Sequence, residues 1–292
     1  MRKERFIEIY ERDEITSRLA SAPEGVTSLT GAAGSSLAIY VAAVALTAGG
    51  THVVVADDKD SAGFLYYDLL NFISSDHLHF FPTSYKRSSL FGTESNSNIV
   101  QRTALLTSLE GNAPHHTVIC TYPEALAEKV VDGSQLRAAT LRLAKGDRLS
   151  IERLTGALIE MGFTRDDFVW APGQYSVRGG IIDIFSYGDI HPYRIDLFGD
   201  EIDSIRLFDI NTQLSTESRE AVEVVANISS GGGRRICFTD LLKSRPDRRY
   251  WVVTPSHVER RLNEIRNRNI KNKRPSIDFV NSRSGFHQIS LT

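Results

Sequence analysis

A loop between an apolar strand and an apolar helix is the first place where phosphate chemistry is conceivable. It begins at Gly31 and includes Gly34. The phosphate-binding loop of an ATPase needs a Lys on the terminal phosphates and a Ser or Thr on Mg²⁺, besides backbone N–H groups. With Gly31 aligned on the first glycine of that motif, these two positions hold Leu37 and Ala38. Both groups that handle charge are missing, so we interpret the loop as a vestigial, inactive phosphate loop.

Two other interpretations of this loop are a plain structural turn and a weak anion site at a helix N-terminus. A dinucleotide site of the Gly-x-Gly-x-x-Gly type is excluded because the glycine spacing is wrong.

Other side chains that could do chemistry lack suitable partners. His115 and His116 have no further metal ligand at a useful spacing, which favours a surface loop. Cys120 and Cys237 lie in apolar runs, which is typical of buried, reduced thiols. An acidic cluster resembles a metal site by composition alone, because solvated acids are expected beside a hairpin turn: Asp196, Asp200, Glu201 and Asp203. We therefore predict no catalytic residue, no metal site and no cofactor in this chain.

The bulk composition is typical of a soluble globular protein. The 292 residues are 41% hydrophobic and 24% charged, with a net charge of −2. That balance gives the whole molecule no electrostatic attraction to nucleic acid or to an anionic membrane. The N-terminus lacks the apolar segment of a signal peptide, and no apolar run reaches the roughly 20 residues that cross a bilayer. We expect a cytoplasmic protein without membrane contacts.

The first part of the chain alternates between strands and helices. Apolar runs predict strands at 26–30, 51–56, 79–81 and 117–120, and helical spacing predicts helices at 35–48, 60–72 and 98–109. The almost uniformly apolar run 51–56 is typical of a strand covered on both faces of a parallel sheet. This order predicts a doubly wound, mostly parallel α/β sheet.

The pattern changes near Leu143 and changes back after a glycine-rich joint at 229–233. A helix is predicted at 149–161, followed by strands at 175–185, 193–198 and 202–208, with Gly199 and Asp200 as a two-residue hairpin turn. A strand at 251–254 and a short helix at 258–265 return to α/β character. We predict an α/β domain at 1–142, an inserted small α+β antiparallel domain at 143–230 and a truncated α/β return segment at 231–292. We expect an excised piece of a longer protein.

The strands within residues 174–209, which we call the platform, carry apolar side chains on both sides. Alternate residues of a strand point to opposite sides of the sheet. One side of the first strand would carry Tyr175, Val177, Ile181 and Phe185, and the other side would carry Arg178, Ile182 and Ile184. A bulge at the glycine pair 179–180 would shift this register. One helix cannot cover both sides, so aromatic rings beside arginines are predicted at the surface, as in interface hot spots. The other interpretation makes Arg178 a solvated strand residue and Phe185 part of the core.

The platform sequence resembles one known family. The segments are Gln-Tyr-Ser-Val-Arg-Gly-Gly-Ile-Ile-Asp-Ile-Phe at 174–185, Tyr-Arg-Ile-Asp-Leu-Phe-Gly-Asp-Glu-Ile-Asp-Ser-Ile-Arg-Leu-Phe-Asp at 193–209 and Asn-Thr-Gln at 211–213. They are similar to the N-terminal UvrB-homology region of the bacterial transcription–repair coupling factor (Mfd), a frame that the excision-repair protein UvrB shares. Weaker similarity includes Lys-Gly-Asp at 145–147 and Thr-Tyr-Pro-Glu-Ala-Leu at 121–126, and the resemblance covers about residues 15–260.

The resemblance implies that residues 1–142 form a motor-like domain, resembling a degenerate P-loop or helicase-type domain. It also implies that the inserted domain recruits UvrA, the damage-recognition ATPase of nucleotide excision repair. The family's Arg-Gly pair corresponds to Arg178 and Gly179, and an arginine after the preceding helix corresponds to Arg165. We name Arg165, Arg178, Tyr175 and Phe185 as candidate UvrA contacts. Ser176 stands where UvrB has a basic residue.

The sequence also departs from UvrB in two ways that concern nucleotide and DNA. UvrB keeps a complete phosphate loop, and it has an aromatic-rich insertion that clamps DNA where this chain has the short stretch 84–98. The resemblance implies that RNA polymerase, DNA, ATP and Mg are handled by regions of a full-length translocase that this chain lacks.

Three functions follow as hypotheses. The leading one is a non-catalytic adaptor module that docks UvrA. A rival is a DNA-binding or ATP-binding part of a DNA translocase, because residues 234–283 carry an excess of Lys and Arg that could track phosphates or could dock internally. A third, a sugar- or nucleotide-handling enzyme on a Rossmann-like sheet, has only the fold class in its favour.

Overall fold

A computed structural model describes residues 3–84, 96–110, 115–228, 235–243, 245, 247–271 and 287–291. Contacts divide the chain into two compact units. The first unit comprises Met1–Thr83, Gly111–Val130 and Arg235–Thr292, and the second comprises Ser84–Glu110 and Val131–Arg234. The predicted domain limits at 142/143 and 230/231 stay a prediction. The predicted joint at 229–233, most of the stretch 84–98 and the basic residues beyond 271 lie outside the described residues.

The described helices and strands follow one another in the order of the chain. The helices are α1 (Lys3–Glu11), α2 (Glu14–Ala20), α3 (Ser36–Ala48), α4 (Lys59–Leu69), α5 (Asn96–Glu110), α6 (Pro123–Leu126), α7 (Gly133–Ala138), α8 (Ile151–Glu160), α9 (Phe238–Leu242) and α10 (Pro255–Lys271). The strands are β1 (Gly25–Leu29), β2 (Gly50–Val55), β3 (Leu78–Phe80), β4 (His116–Thr121), β5 (Lys129–Val131), β6 (Thr140–Ala144), β7 (Thr164–Arg165), β8 (Gln174–Arg178), β9 (Ile181–Ile184), β10 (Tyr193–Phe198), β11 (Glu201–Phe208), β12 (Ser215–Arg219), β13 (Ala221–Val225), β14 (Arg235–Cys237), β15 (Arg248–Val252) and β16 (His287–Leu291).

The first unit contains a parallel sheet with the strand order β1-β16-β15-β2-β4-β3. Strand β2 is central, and successive residues Val53, Val54 and Val55 are all buried. Since successive side chains point to opposite faces, both faces of this strand are covered. Helix α3 is apolar on all sides, as expected, and it contacts α1, α2, α4 and the sheet. Its small side chains allow this close packing on every side.

A buried histidine is fixed in one tautomer within the first core. The Nε2 of His52 lies 2.9 Å from the carbonyl oxygen of Gly49, and its Nδ1 accepts a hydrogen bond of 3.1 Å from the indole N–H of Trp251. Only the neutral ring protonated on Nε2 satisfies both contacts. Burial lowers the pKa of His52 to about 3, and the charges of Arg249 and His116 act in the same direction.

The second unit contains a six-stranded sheet with the order β12-β11-β10-β9-β8-β7. It is antiparallel except for the parallel pair of β7 and β8. Leu154 and Leu158 of the amphipathic helix α8 pack into the same core as Ile182, Ile184 and Ile195 of the sheet. Strands β6 and β13 pair separately. The predicted α/β class, with a parallel sheet and a separate, largely antiparallel one, is confirmed.

The prediction of one strand over residues 175–185 is wrong. The chain forms two antiparallel strands, β8 and β9, with a tight turn at Gly179 and Gly180. Gly179 has a φ of +60°, and a Cβ on Gly180 would lie 2.8 Å from the carbonyl oxygen of Leu197, so both positions require glycine. Because of this turn, residues that were predicted on opposite sides of one strand, such as Tyr175 and Ile184, lie on the same side of the sheet. Tyr175 and Val177 lie opposite Ile184 and Ile182 in the core, and Arg178 lies opposite Ile181.

We expect the stability of the first unit to fall in acid because of His52. Its pKa in the folded chain is lower than its ordinary value of 6.5. The unfolded chain therefore binds a proton that the folded chain excludes, and each pH unit between 6.5 and about 3 costs about 1.4 kcal/mol. The measurement is urea unfolding between pH 7 and 4 for the chain and for His52→Gln, which cannot be protonated. Burial also lowers the pKa of His79, so both proteins should lose stability in acid through that residue. The additional slope of the unsubstituted chain therefore measures His52, and equal pH slopes for the two proteins would contradict its role.

Candidate functional site

The vestigial phosphate loop lies between β1 and α3, where the sequence predicts it. Gly31 and Gly34 have positive φ angles of +80° and +58°, conformations that glycine adopts without strain. Leu37 and Ala38 are buried in the first turn of α3, among the residues of the surrounding core. The two positions that an ATPase uses for charge therefore serve hydrophobic packing here.

Several predicted environments are corrected by the structure. His116 belongs to β4 and stacks on His77 with ring centroids 4.5 Å apart, so only His115 is an exposed loop residue. Cys120 is buried, whereas Cys237 is only half-buried. In the acidic cluster, Asp196 pairs with Arg206, and Glu201 lies 3.7 Å from Arg148. Within the described residues, no group of three or more His, Cys, Asp or Glu side chains is placed to hold a metal.

The described part of the basic C-terminal segment is partly neutralised by acids. Arg261 of α10 pairs with Glu124 of α6 and with Glu264, and Arg268 also lies near Glu264. These pairs raise the pKa of Arg261 and hold α10 against α6. Arg260 is exposed. The described residues contain no helix that is long and apolar enough to span a membrane.

The candidate protein-binding site is the side of the platform sheet that faces away from α8, which we call the charged face. Its side chains form a row across neighbouring strands, because Ser176 pairs with Asp183, Asp183 with Arg194, and Arg194 with Arg206. By alternation along β10, Asp196 lies on the same side as Arg194, and it pairs with Arg206. One surface therefore collects arginines and acids from four strands.

The carboxylate of Asp183 organises this face. Asp183 has 0% side-chain exposure and accepts hydrogen bonds from two arginines. Arg194 donates from Nε at 2.7 Å and from a terminal nitrogen at 2.9 Å, and a terminal nitrogen of Arg178 binds the same carboxylate. These contacts raise the pKa of Arg194, so it stays charged. A bidentate arginine–carboxylate pair fixes direction as well as charge.

Arg178 is held at the edge of the charged face and remains accessible. Besides its contact with Asp183, it donates a 3.2 Å hydrogen bond to the carbonyl oxygen of Asp167. Its guanidinium carbon lies 5.3 Å from the centre of the Phe168 ring, a cation–π geometry. The side chain is still 38% exposed. Arg178 is therefore preorganised for a partner, since its conformation is fixed before binding.

Two of the predicted contact residues are buried, which corrects the expectation of exposed rings there. Tyr175 packs in the core beneath α8. Phe185 packs on the opposite side of the sheet in a small cluster with Val169, Phe208 and partly buried Ile210. Both rings support the platform from within and offer little surface to a partner. The hydrophobic alternation of residues 175–185 could not distinguish the two sides without knowledge of the turn.

Arg165 and Arg178 are not brought together by the structure. Arg165 is exposed on β7, the edge strand, and lies opposite Tyr175 in the parallel pair. Residues paired in register share a side of the sheet, which places Arg165 on the side of Tyr175 rather than with Arg178.

Sequence reasoning missed the residues that complete the charged face. Asp183 and Arg194 become partners only through the pairing of β9 with β10. The alternation of Arg194 and Asp196 with apolar residues is a signal in the sequence, but it identifies the charged side only when Ile195 and Leu197 are known to face the core.

We expect Asp183→Asn to lower the free energy of unfolding by about 3 kcal/mol, because it leaves two arginines without their shared counter-charge in a buried setting. The matched control is Glu201→Gln, which removes the exposed partner of Arg148 and should cost less than about 0.5 kcal/mol. Denaturant unfolding of both variants measures the difference. Similar small losses in the two would show that Asp183 does not organise the face.

Comparison with known proteins connects this surface to one family. A family model described as the UvrB interaction domain matches residues 141–229, which include the whole charged face.

Several curated proteins resemble a larger part of the chain. The transcription-repair-coupling factor of Bacillus subtilis (strain 168) is 28% identical over 220 residues, 74% of this chain and 18% of that protein. That of Escherichia coli (strain K12) is 30% identical over 197 residues, 68% of this chain and 17% of that protein. That of Staphylococcus aureus (strain USA300) is 32% identical over 173 residues, 59% of this chain and 14% of that protein. The chain thus spans less than a fifth of the length of these relatives. It is homologous to the N-terminal region of transcription-repair coupling factors and contains a UvrB interaction domain.

Proposed function

We propose that this chain is a non-catalytic adaptor module that recruits UvrA to sites of stalled transcription during nucleotide excision repair. The observation that carries the proposal is the accessible, preorganised Arg178 on the charged face of the matched UvrB interaction domain. Arginines and aromatic rings dominate the energetics of protein interfaces. A surface that holds Arg178 in one position beside the Phe168 ring is suited to binding a folded partner.

The charge of the face supports an acidic partner surface. Two arginines, Arg178 and Arg194, share the single carboxylate of Asp183, so the 38% exposed side chain of Arg178 presents a positive charge that this carboxylate does not fully balance. The exposed acids Asp166 and Asp167 lie in the adjoining loop, which confines this positive charge to the Arg178 guanidinium itself. The Phe168 ring lies beside this charge, with the guanidinium carbon of Arg178 5.3 Å from its centre. A partner with carboxylates around an apolar patch would be complementary to it. Arg165 remains a proposed contact, on the neighbouring edge strand.

The proposal assigns the remaining activities to other regions of a full-length coupling factor. RNA polymerase and DNA would bind there, and ATP with Mg would drive translocation there. The module itself would need no cofactor and would act in the cytoplasm. Support for a scaffold role of the first unit comes from Leu37 and Ala38, which are buried where charge-handling groups would be required.

The direct test is a binding titration of the chain against UvrA. We expect Arg178→Ala to weaken binding at least tenfold, since it removes a positive charge held in one position together with the N–H donors of the guanidinium group. The control Arg219→Ala removes a half-exposed arginine on the outer strand β12, whose partner is Glu217, and should bind as the parent chain does. Unfolding curves verify that each variant is folded.

Two outcomes would count against this assignment. Absence of UvrA binding by the parent chain would refute the adaptor role. Unchanged affinity in the double variant Arg165→Ala, Arg178→Ala would refute the proposed contacts.

A second expectation concerns nucleotide. We expect the chain neither to bind ATP tightly nor to hydrolyse it in the presence of Mg²⁺, because the loop lacks the Lys and the Ser or Thr that act on phosphate and metal. Titration with a fluorescent ATP analogue and a phosphate-release assay measure this, with an intact P-loop ATPase as positive control. Turnover that disappears on changing Gly34 to Val would favour the rival motor function.

A further inference from the structure

Residues 166–171, which we call the aromatic loop, carry two exposed rings next to the charged face. Val169 is fully buried against Phe185 and Phe208, whereas Phe168 and Trp170 on either side of it are 47% and 54% exposed. The buried valine anchors the loop to the sheet, and this alternation turns both rings outward. Neighbouring exposed aromatic rings form the kind of apolar patch that marks an interaction site.

The loop is fixed by hydrogen bonds with the side chains of Gln174 and Arg178. The Oε1 of Gln174 accepts from the backbone N–H groups of Trp170 and Ala171 at 2.9 and 2.8 Å, and its Nε2 donates to Asp166 at 3.1 Å. Arg178 adds its bond to the carbonyl oxygen of Asp167. Because the backbone is already ordered, little conformational entropy would be lost when the rings become buried in an interface.

The two rings are continuous with the site already described. The Phe168 and Trp170 ring centroids are 6.3 Å apart, and the Arg178 guanidinium lies over Phe168. The patch therefore runs from a positive charge to two aromatic rings without interruption. Trp, Tyr and Arg are the residue types most enriched in hot spots, and this arrangement places Trp and Arg within one rigid surface.

We propose that Phe168 and Trp170 are the apolar anchor of the UvrA-binding surface, taking up apolar side chains of UvrA that lie beside carboxylates paired with Arg178. This inference rests on the proposed function. It differs from the sequence-based assignment, which chose Tyr175 and Phe185 as the aromatic contacts. In the structure Phe185 is buried and packs against Val169, the residue between Phe168 and Trp170.

Titration of UvrA with the whole chain and its variants tests the anchor. Trp170→Ala should weaken binding at least tenfold, and Trp170→Phe should restore most of the loss because it keeps an aromatic ring. Trp170 gives the clearer test, because Phe168→Ala also removes the ring that Arg178 contacts and would change both parts of the surface at once. The matched control is Ile159→Ala, which deletes a side chain with 61% exposure on α8, the helix covering the other side of the sheet.

Each outcome decides the matter. Loss of affinity for Trp170→Ala with unchanged affinity for Ile159→Ala, and an unchanged unfolding midpoint in both, supports the anchor. Affinity within twofold of the parent for Trp170→Ala, while Arg178→Ala is impaired, overturns the anchor and leaves the adaptor function standing. Failure of the parent chain to bind UvrA overturns both.

Discussion

The order of the platform surface depends on one buried carboxylate. Asp183 has no contact with solvent, so its charge is tolerated only because Arg178 and Arg194 both donate to it. The same contacts prevent the arginines from adopting alternative rotamers. Arg194 is held over the Phe208 ring, and Arg178 is held over Phe168. The need to neutralise a buried carboxylate thus determines which arginine side chains lie at the surface and in which direction their guanidinium groups point.

This arrangement couples the exposed surface to the packing beneath it. Phe208 belongs to the small cluster with Val169 and Phe185, and Val169 is the anchor of the aromatic loop. The charged row and the aromatic loop consequently pack on the same small cluster, on the side of the sheet opposite α8. A change in the packing of this cluster would move the surface residues together. For this reason, residues without any exposed surface, such as Phe185, can affect binding without touching the partner.

Much of the fold could be predicted from the sequence, because its signals are local. Uniformly apolar segments correctly indicated β2 and β4, and the amphipathic spacing after Leu149 correctly indicated α8. The exposed strand β12 was missed, since all five of its residues are polar and lack the apolar alternation on which strand prediction depends. The site was only partly predictable. Arg178 stands out through its Arg-Gly pair, but the partnership of Asp183 with Arg194 depends on strand register, which single-sequence patterns leave undetermined.

The loop between β1 and α3 combines a backbone requirement with a packing requirement. Glycines with positive φ shape the turn, and the positions that carry charge-handling groups in an ATPase are part of the core here. A Lys or Ser at these positions would place a polar group where the helix is closely packed on all sides. The loop therefore contributes to the shape of the first unit.

The hydrogen bond between Trp251 and His52 has a spectroscopic consequence. The chain has two tryptophans, and they lie in different units: Trp251 is fully buried in the first, and Trp170 is half-exposed in the second. A buried indole beside an imidazole and a half-exposed indole beside a phenylalanine emit at different wavelengths and differ in their access to collisional quenchers. Intrinsic fluorescence of the unmodified chain consequently contains a separate optical reporter for each unit, so that the melting of one can be followed independently of the other.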